Sequence, residues 1–319
     1  MPPTPTATPT PTPTPTQVPT PASTPAPTFT PTPVATASPT LTPSAVVAKF
    51  LTSWNTQLLV SPKDIAVDHE GSVYVIVNTT HQVEKYSAEG SYLHAIGGFG
   101  TKDTQFQNPS GLGIDGSGNV YVADSGNYRI QVFDSSGIFI RKWGSVGDRD
   151  GQFRSLNGLT VDIAGNSYVL EDASARMQVF NATGNYASHM AVGDGVSDIA
   201  RSKTGDYFVL YTSNNQVFKF KTDGTVLARW GTKGSNPDQF RSPASLAVDA
   251  NGNVYVVDTL NHRVQVFSAA GIYRGEFGDL GQGLGQFNSP EGIAVDSSGK
   301  VYISDTNNER VQVFTVTLR

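Results

Sequence analysis

VYVVDTLNHRVQVFSAAGIYRGEFG, residues 254–278, alternates short apolar runs with loops that contain Asn, Gly and small residues. The runs VYVVD, RVQVF and IYRGEFG have the length and alternation typical of antiparallel β-strands with short connections. The preceding stretch, ASLAVDANG, adds another strand and a tight turn in which Gly252 is free to adopt a positive φ. Four short antiparallel strands in succession predict one blade of a β-propeller.

The same pattern recurs along the chain, in most places every 47 residues. Five copies end the first strand with an aspartate: Asp68, Asp115, Asp162, Asp249 and Asp296. The long gap between the third and fourth aspartates contains one more copy, IARSKTGDYFV from Ile199, in which Ser202 replaces the aspartate. A period of about 40 to 50 residues built from short strands predicts a propeller with six blades.

The sixth copy stops after its third strand, at TVTLR. A strand-like stretch before the first copy, AKFLTSWN, places Trp54 at the blade position that Trp143 and Trp230 occupy in other copies. We expect this N-terminal strand to complete the last blade and close the ring, because closure removes exposed sheet edges. The predicted fold class is therefore all-β, a six-bladed propeller of four-stranded antiparallel blades over residues 47–319.

Residues 1–46 have a different composition. Residues 1–43 contain 15 of the 20 prolines and 15 threonines, and the first charged residue is Lys49. Such a segment buries little apolar surface, so we expect a disordered, extended Pro/Thr-rich linker or stalk. Its composition favours an extracellular or cell-surface bacterial setting. No signal peptide is recognised at the start, MPPTPTATPT.

Net charge and hydropathy limit the classes of partner that we expect for this chain. The net charge is −5 and no Lys/Arg block occurs, so nucleic-acid binding is not expected. No run approaches the roughly 20 apolar residues of a membrane span. The chain has no cysteine, which excludes disulfides and thiolate zinc sites. We expect a monomer whose partner is an unidentified protein, peptide or small molecule.

Two stretches, VYVADSGNYRIQVFDSSGIFIRKWG at 120–144 and the one quoted above, resemble NHL repeats. The similarity extends over residues 47–319. It implies a rigid six-bladed disc with a central channel. It does not imply one activity, since NHL propellers resemble RNA- or protein-binding modules, bacterial sensor domains and, more distantly, peptidyl-hydroxyglycine lyases and lactonases.

Four copies end the second strand with a carboxylate and begin the third with an arginine five residues later. These pairs are Asp124/Arg129, Glu171/Arg176, Asp258/Arg263 and Asp305/Arg310. Copies one and four have neither partner, with Val77/Gln82 and Tyr211/Gln216 instead. This joint presence or absence indicates structural ion pairs, and ligand recognition by each arginine is the alternative.

Copies one and four also differ where the first strand begins. Asp64 and Asp198 stand where the other copies have Gly111, Gly158, Ser245 and Gly292. Because these copies lie opposite each other in a ring of six, we expect two carboxylates across the channel mouth. The residues one position earlier in three copies, Lys63, Asn157 and Glu291, complete a candidate binding set. Asp64, Asp198 and Glu291 are candidate ligands for Ca²⁺, and an ordinary solvated rim is the alternative.

No catalytic residues are assigned. None of the five histidines occupies a position where the first strand begins, which disfavours a zinc lyase or a histidine-based site. The leading hypothesis is a non-catalytic ligand- or protein-binding propeller on a Pro/Thr-rich stalk, with no required cofactor. One alternative is a calcium-dependent lactonase-like or lyase-like enzyme at the channel mouth. The other is an RNA-binding NHL propeller.

Overall fold

The computed structural model describes residues 46–55 and 58–319. In this part of the chain, six four-stranded antiparallel sheets form the blades of a propeller, which confirms the predicted fold class. The linker predicted for residues 1–46 lies outside the described residues, except for Val46. No helix among the described residues is long and apolar enough to cross a membrane.

Each blade runs from an inner first strand to an outer fourth strand. Blade 1 contains Pro62–Val67, Val73–Val77, Gln82–Tyr86 and Tyr92–Gly97. Blade 2 contains Pro109–Ile114, Val120–Asp124, Arg129–Phe133 and Phe139–Trp143. Blade 3 contains Leu159–Val161, Ser167–Glu171, Arg176–Phe180 and Tyr186–Ala191.

The second half of the ring repeats this order. Blade 4 contains Val196–Arg201, Tyr207–Tyr211, Gln216–Phe220 and Val226–Trp230. Blade 5 contains Ser245–Val248, Val254–Asp258, Arg263–Phe267 and Tyr273–Phe277. Blade 6 contains Ile293–Val295, Lys300–Asp305, Arg310–Leu318 and, as its outer strand, Val46–Trp54. Short elements complete the described part: the parallel pair Thr232–Lys233 and Gln239–Phe240, and the 3₁₀ turns Ser125–Asn127, Thr259–Asn261 and Thr306–Asn308.

The N-terminal strand closes the ring as predicted. Val46–Trp54 pairs antiparallel with Arg310–Leu318, with Phe50 opposite Phe314 and Trp54 opposite Val311. Trp54 is buried and packs against Tyr86 of blade 1 and Tyr302 of blade 6, with ring centroids 6.4 Å apart in both cases. The outer strand of blade 6 therefore also seals the boundary with blade 1.

The hydrophobic core lies between neighbouring blades, because both faces of each twisted sheet are apolar. One fully buried aromatic on the third strand anchors each boundary, for example Phe133 in blade 2. Phe106, from the loop that leads into blade 2, packs against it at 5.7 Å and is itself fully buried. Burial of a Phe side chain contributes about 1.5–3 kcal/mol to the free energy of folding. These aromatics therefore stabilise both the packing of neighbouring blades and the position of the loops.

The propeller has two distinct faces. The tight turns that follow the first strand and the third strand lie on one of them, which we call the turn face. The loops between blades and between the second and third strands lie on the other, the loop face. Because Val46 pairs with Leu318 at the end of a third strand, Val46 lies on the turn face.

Candidate functional site: the channel mouth

The four acid–arginine pairs form at the loop face. The four Nε–oxygen distances are 2.7 Å for Arg129–Asp124, 2.7 Å for Arg176–Glu171, 2.9 Å for Arg263–Asp258 and 2.7 Å for Arg310–Asp305. The acids have no exposed side-chain surface and the arginines expose only 7–12%. Such burial separates these pairs from exposed ion pairs, which contribute little to stability.

Each pair also holds the loop that leads into its own blade. Arg129 donates to the carbonyl oxygens of Thr101, Lys102 and Gln105 at 2.7–3.0 Å. Asp124 accepts a hydrogen bond from the backbone N–H of Gln107 at 2.7 Å. The guanidinium fork therefore satisfies carbonyl groups of an irregular loop, which is a structural use of arginine.

The five candidate binding residues line one cavity at the channel mouth. It has a volume of about 290 Å³, and all six blades contribute to its wall. Lys63 and Asp64 come from blade 1, Asn157 from blade 3, Asp198 from blade 4 and Glu291 from blade 6. A second space of about 250 Å³ continues along the first strands toward the turn face. It shares Asp64 and Asp198 with the mouth.

Asp64 and Asp198 have a structural role that the sequence pattern did not reveal. Asp64 accepts hydrogen bonds from its own neighbour Ile65 at 2.9 Å and from Leu112 of blade 2 at 2.7 Å, both through backbone N–H groups. Asp198 accepts corresponding bonds from Ile199 at 2.8 Å and Leu246 of blade 5 at 2.9 Å. Each carboxylate thus ties its blade to the next one at the inner strand.

Ser245 shows why one copy carries a serine at this position. Its hydroxyl donates to Asp198 Oδ2 at 2.8 Å. At the equivalent position of blade 3 a side chain is excluded, because a Cβ on Gly158 would lie 2.8 Å from the Asp198 Cα. The small residues in the other copies therefore reflect close approach of neighbouring inner strands.

The two carboxyl groups resist ionisation. Burial and, second, the negative charge of Asp198 raise the pKa of Asp64 to about 8, against the smaller opposing effect of its backbone hydrogen bonds. Burial also raises the pKa of Asp198, to about 6. Two carboxylates that share a cavity disfavour each other's charged form, so the pair holds protons more strongly than exposed aspartates do.

Glu291 and Lys63 form an ion pair at the rim of the cavity. The Lys63 Nζ lies 3.3 Å from Glu291 Oε2, and both side chains are partly exposed. Within residues 46–55 and 58–319, no group of three His, Cys, Asp or Glu side chains is close enough to hold a metal ion. Asp64, Asp198 and Glu291 are therefore not preassembled as a calcium site, and calcium binding by them stays a prediction.

Sequence reasoning missed several residues of the cavity wall: Asn78, Asn108, Pro109, Ser110, Ser197 and Ala244. Asn78 differs from the others because its buried Oδ1 has no hydrogen-bond partner within residues 46–55 and 58–319. At the same repeat position of blade 6, Thr306 donates to the carbonyl of Pro62 at 2.8 Å. That position is polar in all six copies, so the repeat alone does not single out Asn78: Asn78, Ser125, Asp172, Thr212, Thr259 and Thr306.

The histidines do not reach the cavity. His81 and His262 occupy equivalent loop positions, where Nδ1 accepts the backbone N–H of Asn108 at 3.1 Å and of Ser289 at 3.0 Å. Both have positive φ, 54° and 55°. These two side chains support the loops that lead into blades 2 and 6.

The closed ring of six four-stranded sheets makes this chain a six-bladed β-propeller. Three segments match the NHL repeat model, residues 106–133, 240–267 and 287–314. The chain therefore contains three NHL repeats and folds as a six-bladed β-propeller. No curated protein matches it in sequence.

Several solved structures share the fold at low sequence identity. Virginiamycin B lyase from Staphylococcus aureus has a TM-score of 0.58 and 15% identity, over 86% of this chain and 100% of that chain. An auxiliary nutrient binding protein from Bacteroides thetaiotaomicron has a TM-score of 0.62 and 13% identity, over 81% and 69% of the two chains. A protein of unknown function from the same organism has a TM-score of 0.66 and 14% identity, over 86% and 76%.

Proposed function

We propose that this propeller is a non-catalytic binding module that takes a small polar ligand at its channel mouth. The observation that carries the proposal is the single cavity to which all six blades contribute polar side chains. Ligand sites are concave, largely preformed and contain a few placed polar groups. A volume of about 290 Å³ is at the small end of such sites, which favours a small molecule over a folded protein.

Val46, the first described residue, lies on the turn face, whereas the cavity opens on the loop face. The nutrient-binding relative has the same fold, which makes a binding role compatible with it.

The enzyme alternative has less support from the residues at the mouth. A histidine-to-alanine form of virginiamycin B lyase, solved with quinupristin, is described as catalytically inactive. In this chain none of the five histidines lines the cavity. Of the candidate acid–base groups, Asp64 and Asp198 already accept backbone hydrogen bonds that join neighbouring blades, and Glu291 is paired with Lys63.

A matched pair of variants tests the proposal. Ala244 lines the cavity and its side chain makes no hydrogen bond, so Ala244→Trp fills the mouth without removing one. Ser297→Trp places the same bulk on an exposed position of the turn face. Thermal shifts would be recorded for each protein with a panel of sugars, amino acids, amines and short peptides.

We expect at least one class of compound to raise the melting temperature of the wild type and of Ser297→Trp, but not of Ala244→Trp. An equal rise in Ala244→Trp, or no rise with any compound, would overturn the proposal. Mass spectrometry of the same mixtures tests for turnover, and a product that forms only with an open mouth would favour the enzyme. Binding of RNA that weakens steeply with salt would favour the third hypothesis.

A further inference from the structure

We infer that the channel mouth selects ligands that carry a protonated amine, held between Asp64 and Asp198. This inference rests on the proposed function and specifies its ligand class. The carboxylates of Asp64 and Asp198 keep unused hydrogen-bond acceptor positions at the mouth. A carboxylate offers about four acceptor positions, and hydrogen bonds occupy two of them on Asp64 and three on Asp198.

The geometry leaves these acceptors without a positive partner of their own. Lys63 is the cationic side chain in the described cavity wall, and Glu291 already pairs with it at 3.3 Å. Apart from Asp64 and Asp198, the rest of the described wall consists of amides, hydroxyls, Pro109 and Ala244, which carry no charge. Ionised Asp64 and Asp198 therefore make the mouth negative, and a cation removes their mutual repulsion.

Asn78 adds a neutral amide to the wall of the same cavity. Its Oδ1 has no hydrogen-bond partner among the described residues. Most buried acceptors in native proteins have a donor, so an unpaired one needs an explanation. An ammonium group has three N–H donors and no acceptor, which matches a wall of spare carboxylate and amide oxygens.

An amine fits these groups better than an anion or a metal ion. An anion would be repelled by the two carboxylates and would have to displace Glu291 from Lys63. A Ca²⁺ ion requires six to eight oxygen ligands, and the described residues assemble no group of three candidate metal ligands. An ammonium ion needs only three acceptors and keeps part of its surface hydrated at an open mouth.

The test compares matched probes. Ethanolamine and 1,2-ethanediol have nearly the same size and differ in one amine, and acetate and CaCl₂ provide the anion and the metal ion. Binding would be measured by ligand-observed NMR and by thermal shift with the wild type, Asp64→Asn, Asp198→Asn and Asp134→Asn. Asp134 is the charge-matched control, because its carboxylate lies in a turn away from the mouth, where it accepts bonds from Ser136 and Ile138.

We expect ethanolamine to bind at least about tenfold more tightly than 1,2-ethanediol, since a charge-assisted hydrogen bond is worth that ratio or more. Each mouth variant should lose most of this advantage, and Asp134→Asn should keep it. The affinity of the wild type should rise with pH, because the amine must replace protons held by the two carboxyl groups.

Other outcomes distinguish a failure of the amine inference from a failure of the proposed function. Equal binding of 1,2-ethanediol, or full ethanolamine binding by both mouth variants, overturns the amine inference. A shift with CaCl₂ alone also overturns it and leaves the mouth as a metal-binding site. If the mouth-filling variant Ala244→Trp binds ethanolamine like the wild type, binding occurs elsewhere and the proposed function falls as well.

Discussion

Blades 1 and 4 differ from the other four blades in two places at once. Blades 2, 3, 5 and 6 hold a buried acid–arginine pair at the loop face, whereas blades 1 and 4 have Val77/Gln82 and Tyr211/Gln216 there. Blades 1 and 4 instead carry Asp64 and Asp198 at the channel. Four blades thus use an ion pair to support the loop that leads into them, whereas the other two carry an aspartate at the channel mouth.

The loops explain the first difference. The segments leading into the four blades with ion pairs are long, at 98–108, 144–158, 231–244 and 278–292. The segments leading into blades 1 and 4 are short, at 55–61 and 192–195. Each arginine donates to carbonyl groups of the loop before its blade, and a short loop offers no such groups. The ion pair therefore occurs together with a long loop and has a structural role.

The largest expected effect concerns the ring that both groups of blades share. Removal of residues 1–57 takes away the outer strand of blade 6 with Trp54 and opens a sheet edge. We expect this protein to aggregate or to melt far below the full chain, because several buried aromatic contacts are lost together. Removal of residues 1–44 is the control and should leave the melting temperature almost unchanged. Equal melting temperatures of the two truncated proteins would contradict closure by this strand.

The next effect tests the ion pairs. Arg263→Ala leaves the fully buried Asp258 without its cation, so we expect a loss of about 3 kcal/mol in the free energy of unfolding. Urea denaturation would measure it, and faster hydrogen exchange in residues 231–244 should accompany it. Arg229→Ala removes an exposed arginine of a neighbouring blade and should change stability by less than about 0.5 kcal/mol. If Arg263→Ala weakens ligand binding while the denaturation curve is unchanged, the arginine recognises a ligand.

A pH series tests the charged pair of blades 1 and 4. The folded-state pKa values of Asp64 and Asp198 lie above that of an ordinary aspartate, about 3.9, so folding favours their protonated forms. This stabilisation is complete at low pH and disappears as the pH rises through the raised values. We expect the free energy of unfolding to fall as the pH rises from about 5 to about 8.

The doubly substituted protein, Asp64→Asn with Asp198→Asn, is the matched control for this series. Its pH dependence should be flatter. A smaller slope should remain, because burial also raises the pKa values of Asp238 and Glu84. An unchanged slope would show that the mouth carboxyl groups ionise like exposed aspartates.

The smallest effect concerns a second irregularity of blade 4. In the other five blades a tyrosine on the second strand donates to the turn aspartate, as Tyr255 does to Asp249 at 3.2 Å. In blade 4 both partners are changed, to Ser202 and Phe208. Ser202→Asp with Phe208→Tyr should restore the bond and stabilise the domain by about 0.5–1 kcal/mol, with each single change worth less. A double-mutant cycle without positive coupling would contradict this interpretation.

Much of the architecture was predictable from the repeat. The position of Trp54 predicted the closing strand because Trp143 and Trp230 pair with the second residue of a third strand, Ile130 and Val217, as Trp54 pairs with Val311. The five candidate mouth residues were predictable as a group because they occupy two adjacent positions in the repeat. Asn78 was not predicted, since its position lies on another part of the blade.

The sequence by itself determined the six blades, their strands and the opposition of Asp64 and Asp198, because a periodic pattern assigns every residue an equivalent place in the ring. The tertiary structure alone decided which atoms meet between blades: Asp64 with the N–H of Leu112, Asp198 with Ser245, and Glu291 with Lys63. These contacts depend on how closely adjacent sheets approach and on their relative twist. Those distances arise from packing across the ring and leave no periodic signal within one repeat.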